Sequence, residues 1–161
     1  GQVTIRLPRR RRVLIGIDDT DTPEEGATWT LAHNIARAVE DPDSRYLSHT
    51  IVQLFPVPYR TKNCVGIVLE FATTQPALLA DRVQALLEKY TLSDETGMAV
   101  FTGFDPSPLE AFGQSVKKGE VSREDLDKVL RHVDVRIGGR GLIGAVGAIP
   151  FATRYEEALR I

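Results

Sequence analysis

The chain has 161 residues, 42% of them hydrophobic and 26% charged, with a formal net charge of −2. That size and apolar content suffice for one domain with its own core, and the near-neutral balance supplies no global basic field for nucleic acid. A single cysteine, Cys64, excludes an internal disulfide, and with no apolar run long enough to span a bilayer and no secretory leader, the expectation is a cytoplasmic protein.

The first stretch, residues 1–12, ends in four arginines, Arg9, Arg10, Arg11 and Arg12. It reads as a solvated basic linker rather than a patch for RNA or anionic lipid, with the domain proper expected over 13–161. Residues 13–18 (VLIGID) are apolar and β-branched, the mark of a buried strand. Residues 28–40 carry Leu31, Ile35 and Val39 at helical spacing, and DPDS at 41–44 is a turn. Strands are expected at 47–55 and 64–72, and a helix at 76–90 with Pro76 in its first turn and Leu79, Val83, Leu86 and Leu87 inward. A further strand follows at 98–104. The order β-α-β-β-α-β predicts an α+β fold with a ferredoxin-like core. Helical segments near 108–117 and 122–131, the second capped by Ser122 with Asp125 three residues on, a short strand at 133–137 and a glycine-rich loop, GGRGLIGAVGA, form a C-terminal extension. The chain opens on Gly1, its only methionine is Met98, and it stops inside a helix-like run, so it is expected to be a domain excised from a longer protein.

Four stretches carry chemistry. Asp18, Asp19 and Asp21 crowd the end of the first strand. Carboxylates that close repel unless solvated or neutralised by a cation. Pro23 marks an irregular stretch, and a loop there can aim several hard oxygens at one Mg²⁺, which also takes substrate phosphates; the alternative is that these residues cap the following helix. GATWT at 26–30 opens that helix, where free amides attract phosphate and Thr28 offers a hydroxyl, as cap or as phosphate contact. Glu24 and Glu25 argue against phosphate, and Trp29 is a base-stacking candidate or a core residue. In PYRTKN at 58–63, Arg60 and Lys62 with Thr61 and Asn63 suit a phosphate or carboxylate, or form an ordinary polar connection. In GGRGLIG at 138–144, the spacing Gly139, Gly141, Gly144 matches G-x-G-x-x-G, but too little chain follows for a dinucleotide fold. A phosphate-cradling loop with Arg140 adding charge, or close backbone packing, remains. His33, His49 and His132 show no ligand spacing and read as ordinary surface or core histidines.

In this order, GIDDTD at 16–21, Thr28, PYRTKN at 58–63 and GRGLIGA at 139–145 resemble the N-terminal kinase-like domain of archaeal isoleucine-tRNA agmatinylcytidine synthetase, over about residues 13–161. The variant GIDDTD followed by EEGATW looks most like methanogenesis marker protein 11, an uncharacterised archaeal family sharing this domain. The resemblance implies ATP and Mg²⁺ as cofactors and phosphorylation of a tRNA anticodon cytidine before agmatine displaces the phosphate. It places the aspartate cluster on Asp18, Asp19 and Asp21 and the functional threonine on Thr28, although Ala27, Thr28 and Trp29 stand where that family usually has Cys-Thr-Thr. Arg60, Thr61, Lys62, Asn63, Gly139, Arg140, Gly141 and Gly144 are the expected phosphate contacts. The expected function is a Mg-ATP-binding, phosphotransferase-type domain with an open acceptor, tRNA or other RNA among the partners. The alternatives are a non-catalytic nucleotide-binding module and an RNA-binding module built on the arginine run.

Overall fold

A computed structural model describes residues 1–5, 9–21, 27–56 and 64–160. The core consists of β1 (Arg11–Asp18), α1 (Thr28–Val39), β2 (Ser44–Gln53), β3 (Val65–Thr73), α2 (Pro76–Tyr90) and β4 (Gly97–Thr102). The extension adds α3 (Glu110–Lys118), α4 (Arg123–Asp127), β5 (Asp134–Gly138), α5 (Leu142–Ala148) and α6 (Tyr155–Leu159), with 3₁₀ turns at Ser107–Leu109, Leu130–His132 and Ile149–Phe151. The strands lie in the order β2-β3-β1-β4-β5, every neighbouring pair antiparallel. The first four are the ferredoxin-like arrangement, and β5 is added at the β4 edge.

Alternation along each strand separates two cores. Val13, Ile15 and Ile17 of β1, with Ile67, Leu69, Phe71, Met98 and Val100, pack under α1 and α2 against Ile35, Val39, Leu79, Val83 and Leu87. Leu14, Val68 and Ala99 face the other way, toward Phe112, Val116, Leu142, Val146, Ile149 and Phe151. On that second face each of the three central strands carries a glycine beneath α5. A Cβ on Gly16 would overlap the Ala145 carbonyl, one on Gly97 would overlap the backbone at Gly141 and Leu142, and one on Gly66 would lie 2.9 Å from the Gly144 carbonyl oxygen. The backbone of α5 therefore rests directly on the strands.

Three expectations change. The glycine-rich segment is a loop only as far as Gly141; the rest is α5, buried nearly all round, and such a helix needs no polar face. Strand β1 begins at Arg11, and the arginine run is not a free linker: Arg12 pairs with Glu70 at 2.8 Å and donates to the Phe104 carbonyl at 2.7 Å, while Arg10 donates to the Pro42 carbonyl at 2.8 Å. Strand β2 starts at Ser44 rather than 47 because Asp41 Oδ1 accepts from the amides of Asp43 and Ser44 and closes the turn at once. The Ser122–Asp125 capping box is present as read.

Candidate functional site

The same alternation that sends Leu14 and Gly16 toward α5 sends Asp18 there too. Its carboxylate lies over Gly144, where a Cβ would overlap Oδ2; the missing side chain makes the room. The chain then turns sharply. Asp19 has φ 61, a left-handed conformation that aspartate tolerates better than most residues, and its amide donates back to Asp18 Oδ1 at 2.7 Å. Thr20 and Asp21 are buried, 2% and 4% exposed.

Thr28 is not the cap of α1. The cap position is Ala27, with no side-chain hydrogen bond. The Thr28 hydroxyl, buried in the first turn, instead accepts from the Thr20 amide at 3.3 Å and from Thr20 Oγ1 at 3.1 Å. It fastens the turn after the aspartates to the helix. Trp29 is 45% exposed, so it is not a core residue.

A fifth stretch, residues 91–96 (TLSDET), ties the site together, and it is not among the four that the sequence singles out. The Leu92 amide donates to the Thr20 carbonyl at 2.9 Å. Thr96 Oγ1 donates to the Asp19 carbonyl at 3.0 Å, and Ser93 Oγ donates to Asp19 Oδ1 at 3.5 Å. On its other side the segment receives the glycine loop: Gly139 donates its amide to the Thr96 carbonyl at 3.0 Å, Gly141 to the Glu95 carbonyl at 2.7 Å, and Arg140 to Glu95 Oε2 at 2.8 Å. A Cβ on Gly141 would stand 2.6 Å from Asp19 Cβ and 2.8 Å from the Asp18 carbonyl oxygen. Gly141 and Gly144 thus serve close packing against the aspartates and Gly139 against the backbone of Glu95 and Thr96, and the amides of Gly139 and Gly141 are already bonded, which differs from the open cradle expected. The signal for residues 91–96 was present in the sequence: hydroxyls and carboxylates crowded between a helix and a buried strand.

The crowding of charge at this end shifts both carboxyls. Burial, then Asp19, then Asp21 drive Asp18 well above the usual carboxylate range. Asp19 is raised to about 6, chiefly by burial, with Arg140 opposing and Asp21 and Glu95 adding to it. Among the described residues no three His, Cys, Asp or Glu side chains converge on one point as a metal cage. The structure therefore brings Asp18, Asp19, Gly139, Arg140, Gly141 and Gly144 together, with Thr28 one layer behind. Arg60, Thr61, Lys62 and Asn63, like Glu24, Glu25 and Gly26, lie outside the described residues. The residues flanking that segment are placed: the Leu54 amide donates to the Cys64 carbonyl at 2.7 Å, and Leu54 lies against Gly144, at the Asp18 end of the sheet. Beside Thr20, a shallow groove of about 240 Å³ runs between Ala27, with Leu31 and Asn34 of α1, and Tyr90 and Leu92. No described helix is long and apolar enough to cross a membrane.

Residues 14–77 match the family model described as the TiaS TCKD domain. An uncharacterised protein of Methanocaldococcus jannaschii is 41% identical over the whole chain, which spans 57% of that relative's length. The isoleucine-tRNA 2-agmatinylcytidine synthetases TiaS of Thermococcus sibiricus and Methanopyrus kandleri are 26% and 28% identical over 84% and 86% of the chain, which covers 34% of each. Among solved structures, TiaS in complex with its isoleucine tRNA and ATP superposes with a TM-score of 0.77 at 23% identity, over 87% of this chain and 36% of that one. Apo TiaS gives 0.73 at 22% identity, over 86% of this chain and 35% of that one. The chain resembles the N-terminal domain of TiaS, and it has that domain's α+β fold.

Proposed function

We propose that this domain binds a nucleoside triphosphate with Mg²⁺ at the Asp18–Asp19 end of the sheet and positions its terminal phosphate for transfer, with tRNA, the nucleic acid held in the TiaS complex, as the acceptor. The observation that carries the reading is the seating of Gly141 against Asp19 and the Asp18 backbone, and of Gly144 under the Asp18 carboxylate, at two adjacent carboxyls whose burial and acidic neighbours disfavour their charged form. The donor set fits Mg²⁺ rather than a metal held by protein alone. Magnesium prefers hard oxygens and is usually bound through one or two carboxylates, with substrate phosphates and waters completing the shell; a three-residue cage is neither present among the described residues nor needed. Asp18 and Asp19 would hold the ion, which would neutralise charge on the phosphate oxygens.

This chain's own residues do the rest by placement, as phosphoryl transfer largely requires. Asp19, held left-handed by Thr96 and Ser93, presents its carboxylate at a fixed position. Arg140 brings positive charge beside it and would meet the phosphate. Arg60 and Lys62, with Thr61 and Asn63, would add contacts from the segment between β2 and β3, whose flanking residues lie at this end. Thr28 acts as a positioning residue, through Thr20. Within the arginine run, Arg10 and Arg12 make contacts inside the fold, while Arg9 and Arg11 are exposed.

The test is ATP titration by calorimetry with and without Mg²⁺ on wild type and Asp19→Asn. Asparagine also tolerates the left-handed backbone, so the fold should survive. Mg²⁺-dependent affinity should fall about tenfold or more, by about 1.4 kcal/mol per decade. Equal affinities would end the proposal.

A further inference from the structure

Away from the aspartates, on the α1 and α2 face, three side chains meet that nothing above uses. Tyr46 Oη lies 2.9 Å from Nδ1 of His33 and 2.9 Å from Nδ1 of His49. The two imidazole rings are 5.1 Å apart and tilted by 54°. All three residues are half-buried.

The convergence depends on an irregularity of β2. Tyr46 and His49 are three residues apart, an odd separation that a regular strand would send to opposite faces. The register shifts between Tyr46 and Ser48, a bulge that leaves Leu47 out, 55% exposed. Tyr46 is thereby opposite Phe71 and His49 opposite Leu69, both core residues under α1. Bulges re-aim side chains in this way. Helix α1 then supplies His33 from above. The Tyr46 amide is itself fixed by Glu40, whose Oε2 accepts it at 3.1 Å.

A buried phenol needs one hydrogen-bond partner; this one has two, both imidazole nitrogens. In the metal-free protein the trio must hold the rings in set tautomers to satisfy a single hydroxyl. One phenol oxygen flanked by two imidazole nitrogens is also the beginning of a metal shell. Ligand atoms of a tetrahedral zinc site stand about 3.3 Å apart, given bonds of about 2.0 Å, so each of the two contacts between Tyr46 Oη and an imidazole nitrogen, 2.9 Å long, would open by only a few tenths of an ångström.

We propose that His33, Tyr46 and His49 form a binding site for a first-row transition-metal dication of the zinc–copper class, with solvent in the remaining position. Imidazole suits these ions. Burial and the neighbouring His33 keep the His49 imidazole neutral to lower pH than usual, the form that ligates. Burial raises the Tyr46 phenol to about 12, so the ion must displace the phenol proton to buffer or bind the neutral hydroxyl. The site is separate from the proposed nucleotide site, and its test does not depend on that reading.

The experiment titrates chelator-treated protein with Zn²⁺ alone by calorimetry, and with Cu²⁺ alone by electron paramagnetic resonance. Wild type should bind one equivalent of Zn²⁺, and the Cu²⁺ spectrum should show two nitrogen ligands. His33→Gln and His49→Gln should each weaken Zn²⁺ at least tenfold, since even outer-shell changes cost that much, while His132→Gln should change nothing. Absence of saturable binding by wild type, a copper spectrum with fewer than two nitrogens, or binding retained by the His33→Gln/His49→Gln double variant would each overturn the site. The spectrum is read on wild type, so it decides the matter even if a variant fails to fold.

Discussion

The two faces of the sheet hold their helices by opposite means. Under α1 and α2 the strands offer Val, Ile, Leu and Phe, and the helices stand off on a layer of branched and aromatic side chains. Under α5 the central strands offer Gly16, Gly66 and Gly97, and the helix backbone touches the sheet. The first face is built for burial, which rewards apolar area wherever it is placed. The second gives up side-chain area for position. Because α5 lies flush, the loop before it is delivered onto Asp18 and Asp19. The difference teaches that the glycines specify where the loop sits more than how stable the domain is, and that distinction can be broken experimentally.

The largest expected effect is on the first face. Phe71→Ala removes a fully buried ring and should cost about 4 kcal/mol, measured by urea unfolding. Mg-ATP affinity of the folded fraction should be unchanged, because Phe71 belongs to the core under α1 and α2 and the proposed site to the opposite face. A loss of affinity at constant folded fraction would show that the two faces are not separable.

Next comes the second face. Gly16→Ala forces a Cβ into the Ala145 carbonyl, and overpacking of this kind should cost about 3 kcal/mol. Here stability and affinity should fall together, since α5 cannot rise without pulling Gly141 off Asp19. If the variant folds and binds nucleotide like wild type, the flush packing does not position the site.

Much of this was legible in the sequence because it rested on periodicity. Helix α1 was expected over 28–40 and runs Thr28–Val39, and α2 was placed at its observed bounds, from the spacing of Leu31, Ile35 and Val39 and of Leu79, Val83 and Leu87. The β-α-β-β-α-β order followed. What periodicity could not show was packing between distant backbones. LIGAVGA is interrupted by Gly144 and Gly147, each costing about 1 kcal/mol relative to alanine in a helix, and has no polar face, so the sheet beneath it is what makes it a helix. The bulge at Leu47 left no mark in the apolar pattern, so His33 and His49 read as scattered. The aspartates and the glycine loop were singled out separately, on charge and composition. Their bridge, Ser93, Glu95 and Thr96, is an ordinary polar turn until the fold brings both partners to it.

A smaller effect probes the layer behind the aspartates. Thr28→Val removes the acceptor for the Thr20 amide and hydroxyl, both buried, and should cost about 2 kcal/mol. Thr28→Ser keeps the oxygen and should restore most of it. If Thr28 acts through Thr20, the valine variant should also lose Mg-ATP affinity while the serine variant keeps it. Equal affinity in both would leave Thr28 with a purely structural role.

The smallest effect has the opposite sign. At the aspartate end the protein tolerates charge that its own stability disfavours, whereas the α1 and α2 face is built on apolar burial. Burial and like charges raise Asp18 well above its ordinary 3.8 and Asp19 to about 6. A carboxyl whose folded pKa lies above its unfolded value binds more protons in the folded state. Its contribution to stability is fully present below about pH 3.8 and is lost as pH rises through the folded pKa. Asp18→Asn removes one of the two charges and keeps an Oδ1 to accept the Asp19 amide. In metal-free buffer near pH 8 the variant should therefore be more stable than wild type by about 1 kcal/mol, and near pH 4, where the pair is protonated, the gap should close. Taking the difference between the two proteins cancels the other titrating groups, such as Glu110, whose pKa is lowered by Arg154. Added Mg²⁺ with ATP should then raise the melting temperature of wild type and leave the variant behind, reversing their order. A variant less stable than wild type near pH 8 would mean that the carboxylate is already compensated within the fold, and that the end of the sheet is not waiting for a cation.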